Sequence, residues 1–133
     1  MIKKGTKLYS IFHNKCPQCH EGAFLVAHPY NLSMAGEIHE RCPVCNIKYA
    51  KEPGFYYGAM YVAYALAVAV FVTLWTSFNL FFQKVSIAWQ IGTILVATLI
   101  LTPYLYALSK IIWANMFISY KENAVEREKR DNN

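Results

Sequence analysis

The stretch "YGAMYVAYALAVAVFVTLWTSFNLFFQ", residues 57–83, decides the fold, because it contains no charged residue. Lys84 interrupts it, and Val85 to Ser109 is again free of charge. Each run is longer than the ~20 residues an α-helix needs to cross the hydrocarbon core of a bilayer. A buried helix of a soluble bundle normally keeps a polar face. Here "LAVAVFVTLW" (66–75) and "IGTILVATLIL" (91–101) are apolar all round. The sequence predicts a transmembrane α-hairpin, with helices about 57–82 and 85–113 and a short turn near Phe82–Ser86. Composition agrees. The chain is 56% hydrophobic and 16% charged, against roughly 45–50% and 25% in a soluble domain.

Outward from the hairpin, the chain divides into residues 1–50, which hold all four cysteines, the hairpin at 51–113, and a charged tail at 114–133. Met1–Lys7 is basic but no apolar segment follows it, so no signal peptide is expected. Lys3, Lys4, Lys7, Lys15, Arg41, Lys48 and Lys51 precede the first helix. Lys110, Lys121, Arg127, Lys129 and Arg130 follow the uncharged part of the second, and the turn carries only Lys84. The excess of positive charge on one side predicts both termini in the cytoplasm of a bacterial inner membrane. The net charge of +5 then reads as topology and attraction to lipid headgroups. Basic residues alternate with Glu21, Glu37, Glu40 and Glu52, and no basic stripe with interleaved aromatics argues for nucleic acid.

The expected spans hold no Asp, Glu, Lys, Arg or His, which excludes the usual signs of an ion pump, a proton relay or a haem-binding helix. Thr73, Thr76, Ser77 and Asn79 are explained by helix–helix hydrogen bonding. Small residues recur at Ala59, Ala63 and Ala67, at 65, 69, 73 and 77, and at Ala88 and Gly92. Such stripes allow close helix approach. Two helices packed on each other use one stripe, so a membrane-protein partner or self-association is expected at another. Tyr56, Tyr57, Tyr61, Tyr64, Phe78, Phe81, Phe82, Trp89, Tyr104, Tyr106 and Trp113 fit interfacial anchors. Pro103 is expected to free the Leu99 carbonyl and bend the second helix, with Thr98 or Thr102 compensating.

"CPQC" (16–19) and "CPVC" (42–45) are two Cys-x-x-Cys pairs separated by 22 residues. Two such turns facing each other make a four-thiolate site for Zn2+, with Cys16, Cys19, Cys42 and Cys45 as ligands. Iron of the rubredoxin type uses the same ligands and stays open as the lesser alternative. Disulfides are disfavoured in the cytoplasm, and a thioredoxin-like site needs a βαβ frame that does not fit here. The residues after each pair, His20 and Asn46, stand where a zinc ribbon often needs a left-handed backbone. His20 is also a candidate hydrogen-bond donor to a thiolate. His13, His28 and His39 read as surface residues. A shell of four cysteines is closed, so the metal is expected to be structural and the protein not an enzyme. "AFLVAH" (23–28) suits a short strand. "YNLSMAGEIHER" (30–41) suits a helical turn with Leu32, Met34 and Ile38 packed on a zinc-ribbon-like module.

The join to the membrane reads "KEPGFYYGAMYVAYA" (51–65). Pro53-Gly54 is a turn, Phe55, Tyr56 and Tyr57 enter the interface, and Gly58 opens a close-packing helix. Glu52 is expected to pair with Lys51 or a tail arginine, or to cap the helix. A turn this tight holds the module against the membrane face.

Together, "CPQCHEG", "ERCPVCNIKY" and "EPGFYYGAMYVAYAL" resemble the bacterial membrane family known as domain of unknown function 983, over roughly residues 12–110. The form "EPGFYYGAMY" is similar to Bacteroidetes members. Glycine is common in that family where this chain has Asn46. The family has no established activity. Some members are encoded near cytochrome oxidase genes, so the resemblance implies a non-enzymatic interaction, assembly or accessory subunit of a respiratory complex. A metallochaperone, or a thiol or iron redox carrier, is the alternative.

Overall fold

A computed structural model describes residues 3–133. Four helices follow in chain order: α1 (Lys7–His13), α2 (Tyr57–Phe81), α3 (Ile87–Phe117) and α4 (Ala124–Asp131). Helices α2 and α3 are the two long apolar candidate membrane spans. They pack side by side, and most of their apolar side chains face outward, including Val72, Leu95, Val96 and Leu99. Exposed apolar surface on this scale marks a face that meets a membrane or another protein.

Ala59 is buried, and Ala63 and Ala67 are half-buried, on the face that α2 turns to α3. Ala65, Ala69 and Thr73 face outward, as do Ala88 and Gly92. A Cβ placed on Gly92 would meet nothing within 4 Å. One small-residue stripe therefore serves the hairpin, and the others lie on open faces. Pro103 sits inside α3 without ending it. The Thr98 and Thr102 hydroxyls donate to the carbonyls of Ile94 and Thr98 (2.7 and 2.8 Å). Neither turns to Leu99, because each hydroxyl reaches back four residues along its own helix.

Between α1 and α2 the chain forms turns and three isolated antiparallel bridges, Lys15–Ala23, Leu25–Ile38 and Arg41–Lys48. No continuous strand appears there among the described residues, so "AFLVAH" contributes only bridge positions. The hydrogen bonds of that stretch are spread over three neighbours: Phe24 N–H to Asn14, Val26 N–H to Glu37, and His39 N–H to Phe24. Residues 28–37 make successive turns, with Asn31, Met34 and Glu37 N–H each bonding three residues back. These turns direct Leu32 and Met34 outward, at 82% and 44% exposure. Only Ile38 of the three expected residues packs on the core.

The core of the cysteine module is shared with the hairpin. Phe24, Leu25, Tyr49 and the four cysteines cluster with Ala107, Ile111, Ala114 and Ile118 of α3 and the segment after it, and with Ala124 of α4. A 31-residue helix is about 46 Å long, well beyond a hydrocarbon core of about 30 Å. The surplus length of α3 is the wall on which the module is built.

Candidate metal centre

The cysteine turns are alike in detail. In the first, His20 N–H bonds to the Cys16 carbonyl (3.0 Å), and Gln18 N–H points at Cys16 Sγ (3.4 Å). In the second, Asn46 N–H bonds to the Cys42 carbonyl (3.0 Å), and Val44 N–H points at Cys42 Sγ (3.4 Å). Gly22 N–H approaches Cys19 Sγ, and Cys45 N–H approaches Cys42 Sγ, each at 3.5 Å. Proline inside each pair sets the turn's backbone angle, and amide donors aimed at sulfur favour the thiolate. His20 (φ 59°) and Asn46 (φ 54°) both adopt the left-handed conformation that reverses the chain after each pair. A side chain other than glycine is strained there, asparagine least.

The four Sγ atoms all lie within 4.8 Å of one another. Cys16–Cys45 is 3.8 Å and Cys19–Cys42 is 3.7 Å. Sulfurs arranged tetrahedrally at ~2.3 Å from zinc stand about 3.8 Å apart. Two opposite edges therefore already have the length a metal requires, and the widest need shorten by only about 1 Å. The donor set fits a thiophilic ion. The cysteines are 0–6% exposed, so the site is enclosed by protein. Crowding makes the thiols share protons. Hydrogen bonds from Cys16 draw Cys42 well below the ordinary thiol range and Cys19 down to about 6. Cys16 and Cys45, as the proton holders, are pushed upward.

Gly22, Tyr49, Ser10 and Asn115, which the sequence does not mark as site residues, help build this centre, together with Tyr56 of the join. A Cβ on Gly22 would overlap Cys42 Sγ. The Tyr49 hydroxyl donates to the Ala23 carbonyl (2.9 Å), and Tyr56 donates to the Tyr49 carbonyl (3.1 Å). Buried Asn115 of α3 donates to Ser10 Oγ (3.1 Å), which donates to the Lys15 carbonyl (2.7 Å) just before Cys16. An asparagine and a serine in otherwise apolar surroundings were the available signal. His20 Nδ1 accepts from Gly5 N–H (3.1 Å), and the ring lies between Tyr9 and Tyr120. Its other nitrogen is buried without a partner among the described residues, so His20 gives the sulfurs no hydrogen bond. Burial pushes its pKa down.

The join carries the ties between module and hairpin. Trp113 Nε1 donates to the Phe55 carbonyl (2.8 Å), and its ring occupies the space a Cβ on Gly58 would need. Phe55 packs edge-on to Phe117. Lys51 Nζ reaches the Phe117 carbonyl (3.3 Å), and Lys121 N–H bonds to the Gln18 carbonyl (2.9 Å). Pro53 and Gly54 form the turn, with Tyr57 N–H bonded to the Gly54 carbonyl. Glu52 makes none of the three contacts expected of it. It is exposed, and α2 has no side-chain cap. It is instead one of the residues that line a cavity at the join.

Fold and site define a class: a membrane-helix hairpin carrying a four-cysteine metal-binding module. A family profile described as "Protein of unknown function (DUF983)" matches residues 35–117, which include the second cysteine pair, the join and both long helices. The chain belongs to that family. No curated protein and no solved structure matches it.

Proposed function

We propose that the chain is a non-enzymatic inner-membrane protein whose module binds structural zinc on the cytoplasmic side. The module would serve as a docking surface, in an assembly or accessory role within a membrane complex, a respiratory one being the first to test. One observation carries the reading. The four sulfurs form a closed, buried tetrahedron whose core is completed by a membrane helix. A closed thiolate shell leaves no position for substrate. A surface built on a continuous helix is held at a fixed height and angle to the bilayer, as a docking part requires. The positive charges flanking the hairpin support the cytoplasmic placement. A metallochaperone or redox carrier is the competing reading, but ligand exchange needs accessible sulfur, and these are buried.

The test is purification of the full chain from native membranes in mild detergent, with and without Cys16→Ser, followed by metal analysis and identification of bound proteins. Colourless, stoichiometric zinc and partners lost in the variant are expected. A chain recovered alone as a monomer would sink the docking role. Iron–thiolate absorption bands would shift the assignment to an electron carrier.

A further inference from the structure

The cavity at the join, about 340 Å³, has Glu52 on its wall and Lys110 on the same wall system. Tyr56, Tyr57, Met60 and Tyr106 are among the other residues that line it. The Lys110 ammonium is held in place. It donates to the Gly36 carbonyl (2.7 Å) and lies 4.7 Å from the Tyr106 ring centroid. Yet it has no counter-ion, and neither has Glu52: the one ion pair among the described residues is Lys4–Glu21. One pocket therefore presents a fixed cation and a carboxylate that do not neutralise each other.

Its height in the membrane identifies the ligand. Counting about 20 residues, one hydrocarbon thickness, inward from Phe81 reaches Val62. The same count from Ile87 reaches Tyr106. Tyr57 and Lys110 each lie about one helical turn beyond those points. Both walls of the cavity are thus level with the phospholipid headgroups, and its Tyr57 and Met60 side opens on the exposed face of α2.

We propose that this cavity binds the headgroup of an aminophospholipid, phosphatidylethanolamine in chemical class. Lys110 takes the phosphate and Glu52 takes the primary ammonium, with the acyl chains running down α2 past Met60. Phosphate bound by a partly desolvated ammonium forms a charge-assisted hydrogen bond. The primary ammonium donates to a carboxylate, which a trimethylated headgroup cannot do. The inference rests on the membrane placement of the hairpin and is independent of what the metal module docks.

The test uses the full chain, delipidated in detergent and given defined lipids, with bound lipid counted by native mass spectrometry. One phosphatidylethanolamine is expected to remain bound, preferred about tenfold or more over phosphatidylglycerol and phosphatidylcholine, the fold-change of one charge-assisted hydrogen bond. Glu52→Gln, an exposed position, is expected to abolish the preference over phosphatidylglycerol. Lys110→Gln is expected to weaken every phospholipid, with bound metal confirming that the module is still folded. Equal retention of all three lipids by the wild type, or an unchanged preference in Glu52→Gln, would each overturn the assignment. Reconstituted chain that washes off vesicles in carbonate would instead overturn the membrane placement.

Discussion

Ile111→Ala tests whether the metal module folds by itself or on α3. Ile111 is 0% exposed and packs in the cluster that contains all four cysteines. It lies on a helix whose earlier part is a candidate membrane span. Removing a buried isoleucine side chain to alanine costs about 2–5 kcal/mol, most where the cavity cannot collapse. Collapse is hindered here, because α3 is a rigid helix and the opposing turns are closed by the cysteine cage. A module without a continuous strand has little structure to keep when the metal leaves, so metal binding is coupled to folding. The full penalty then appears in metal affinity. At 1.4 kcal/mol per decade, zinc affinity falls about 30-fold to a few thousand-fold. The assay is competition with a chromophoric chelator on purified full-length protein. Leu99→Ala, on the 72% exposed face of α3, is the control and is expected to change zinc affinity less than about threefold, since no cavity forms. An affinity unchanged in Ile111→Ala would refute the reasoning, because the module would then fold without the helix.

Gly22→Ala is expected to abolish tight metal binding while leaving the protein in the membrane, since its methyl group displaces Cys42 Sγ; metal content of membrane-extracted protein checks it. Trp113→Phe removes the bond to the Phe55 carbonyl and is expected to lower thermal stability by about 1 kcal/mol, read as a shift in melting temperature in detergent. Asn46→Gly relieves a left-handed position and is expected to be neutral or stabilising, whereas Asn46→Val at the same φ costs about 1–2 kcal/mol. Chelation of the metal is expected to expose the C-terminal segment, because Lys121 is tied to Gln18 between Cys16 and Cys19; limited trypsin digestion at Lys121 and Arg127 then speeds up, and zinc reverses it.

The hairpin and the four ligands are legible because their signals are local. A charge-free run needs no knowledge of the rest of the chain, and Cys-Pro-x-Cys closes a turn within its own residues. The core is not legible. Ala107, Ile111 and Ala114 extend the same apolar pattern that makes α3 a candidate membrane span, so nothing in the pattern marks where the span ends and the module begins. Their partners, Phe24 and Tyr49, are more than fifty positions away in sequence. Helix α1 gives no usable signal, because seven residues show barely two turns of periodicity. Its stability comes from packing on α3, where Ser10 meets Asn115. Hydrophobicity alone puts Leu32 and Met34 in the core, and the succession of turns decides otherwise.

The polar residues of α3 show where its environment changes. Gln90, Ser109 and Asn115 are the buried polar residues of α3, and an isolated buried polar group at hydrocarbon depth is costly. Gln90, in the first turn, donates back to the Val85 carbonyl (3.0 Å), and Ser109 and Asn115 lie beyond Tyr106, where the count of helical rise ends the hydrocarbon. Asn115 is bonded into the module, and Ser109 Oγ donates to the Tyr106 carbonyl (2.7 Å). One unbroken helix thus changes surroundings, from an outward-facing apolar span to the wall of the core that encloses the four cysteines. A hinge between membrane and module would need a break in α3, and the helix has none before Phe117. Disturbance of the metal must therefore act on the packing along the last three turns of α3. The segment after Phe117 should respond before the span does, because Lys121 is bonded to Gln18 of the first cysteine turn and Ile118 and Ala124 pack in the core that the module shares with the end of α3. Hydrogen exchange on the apo and zinc-bound protein separates the two regions. Protection lost from 110–131 while 60–100 stays unchanged is the expected pattern, and uniform loss along α3 would contradict it.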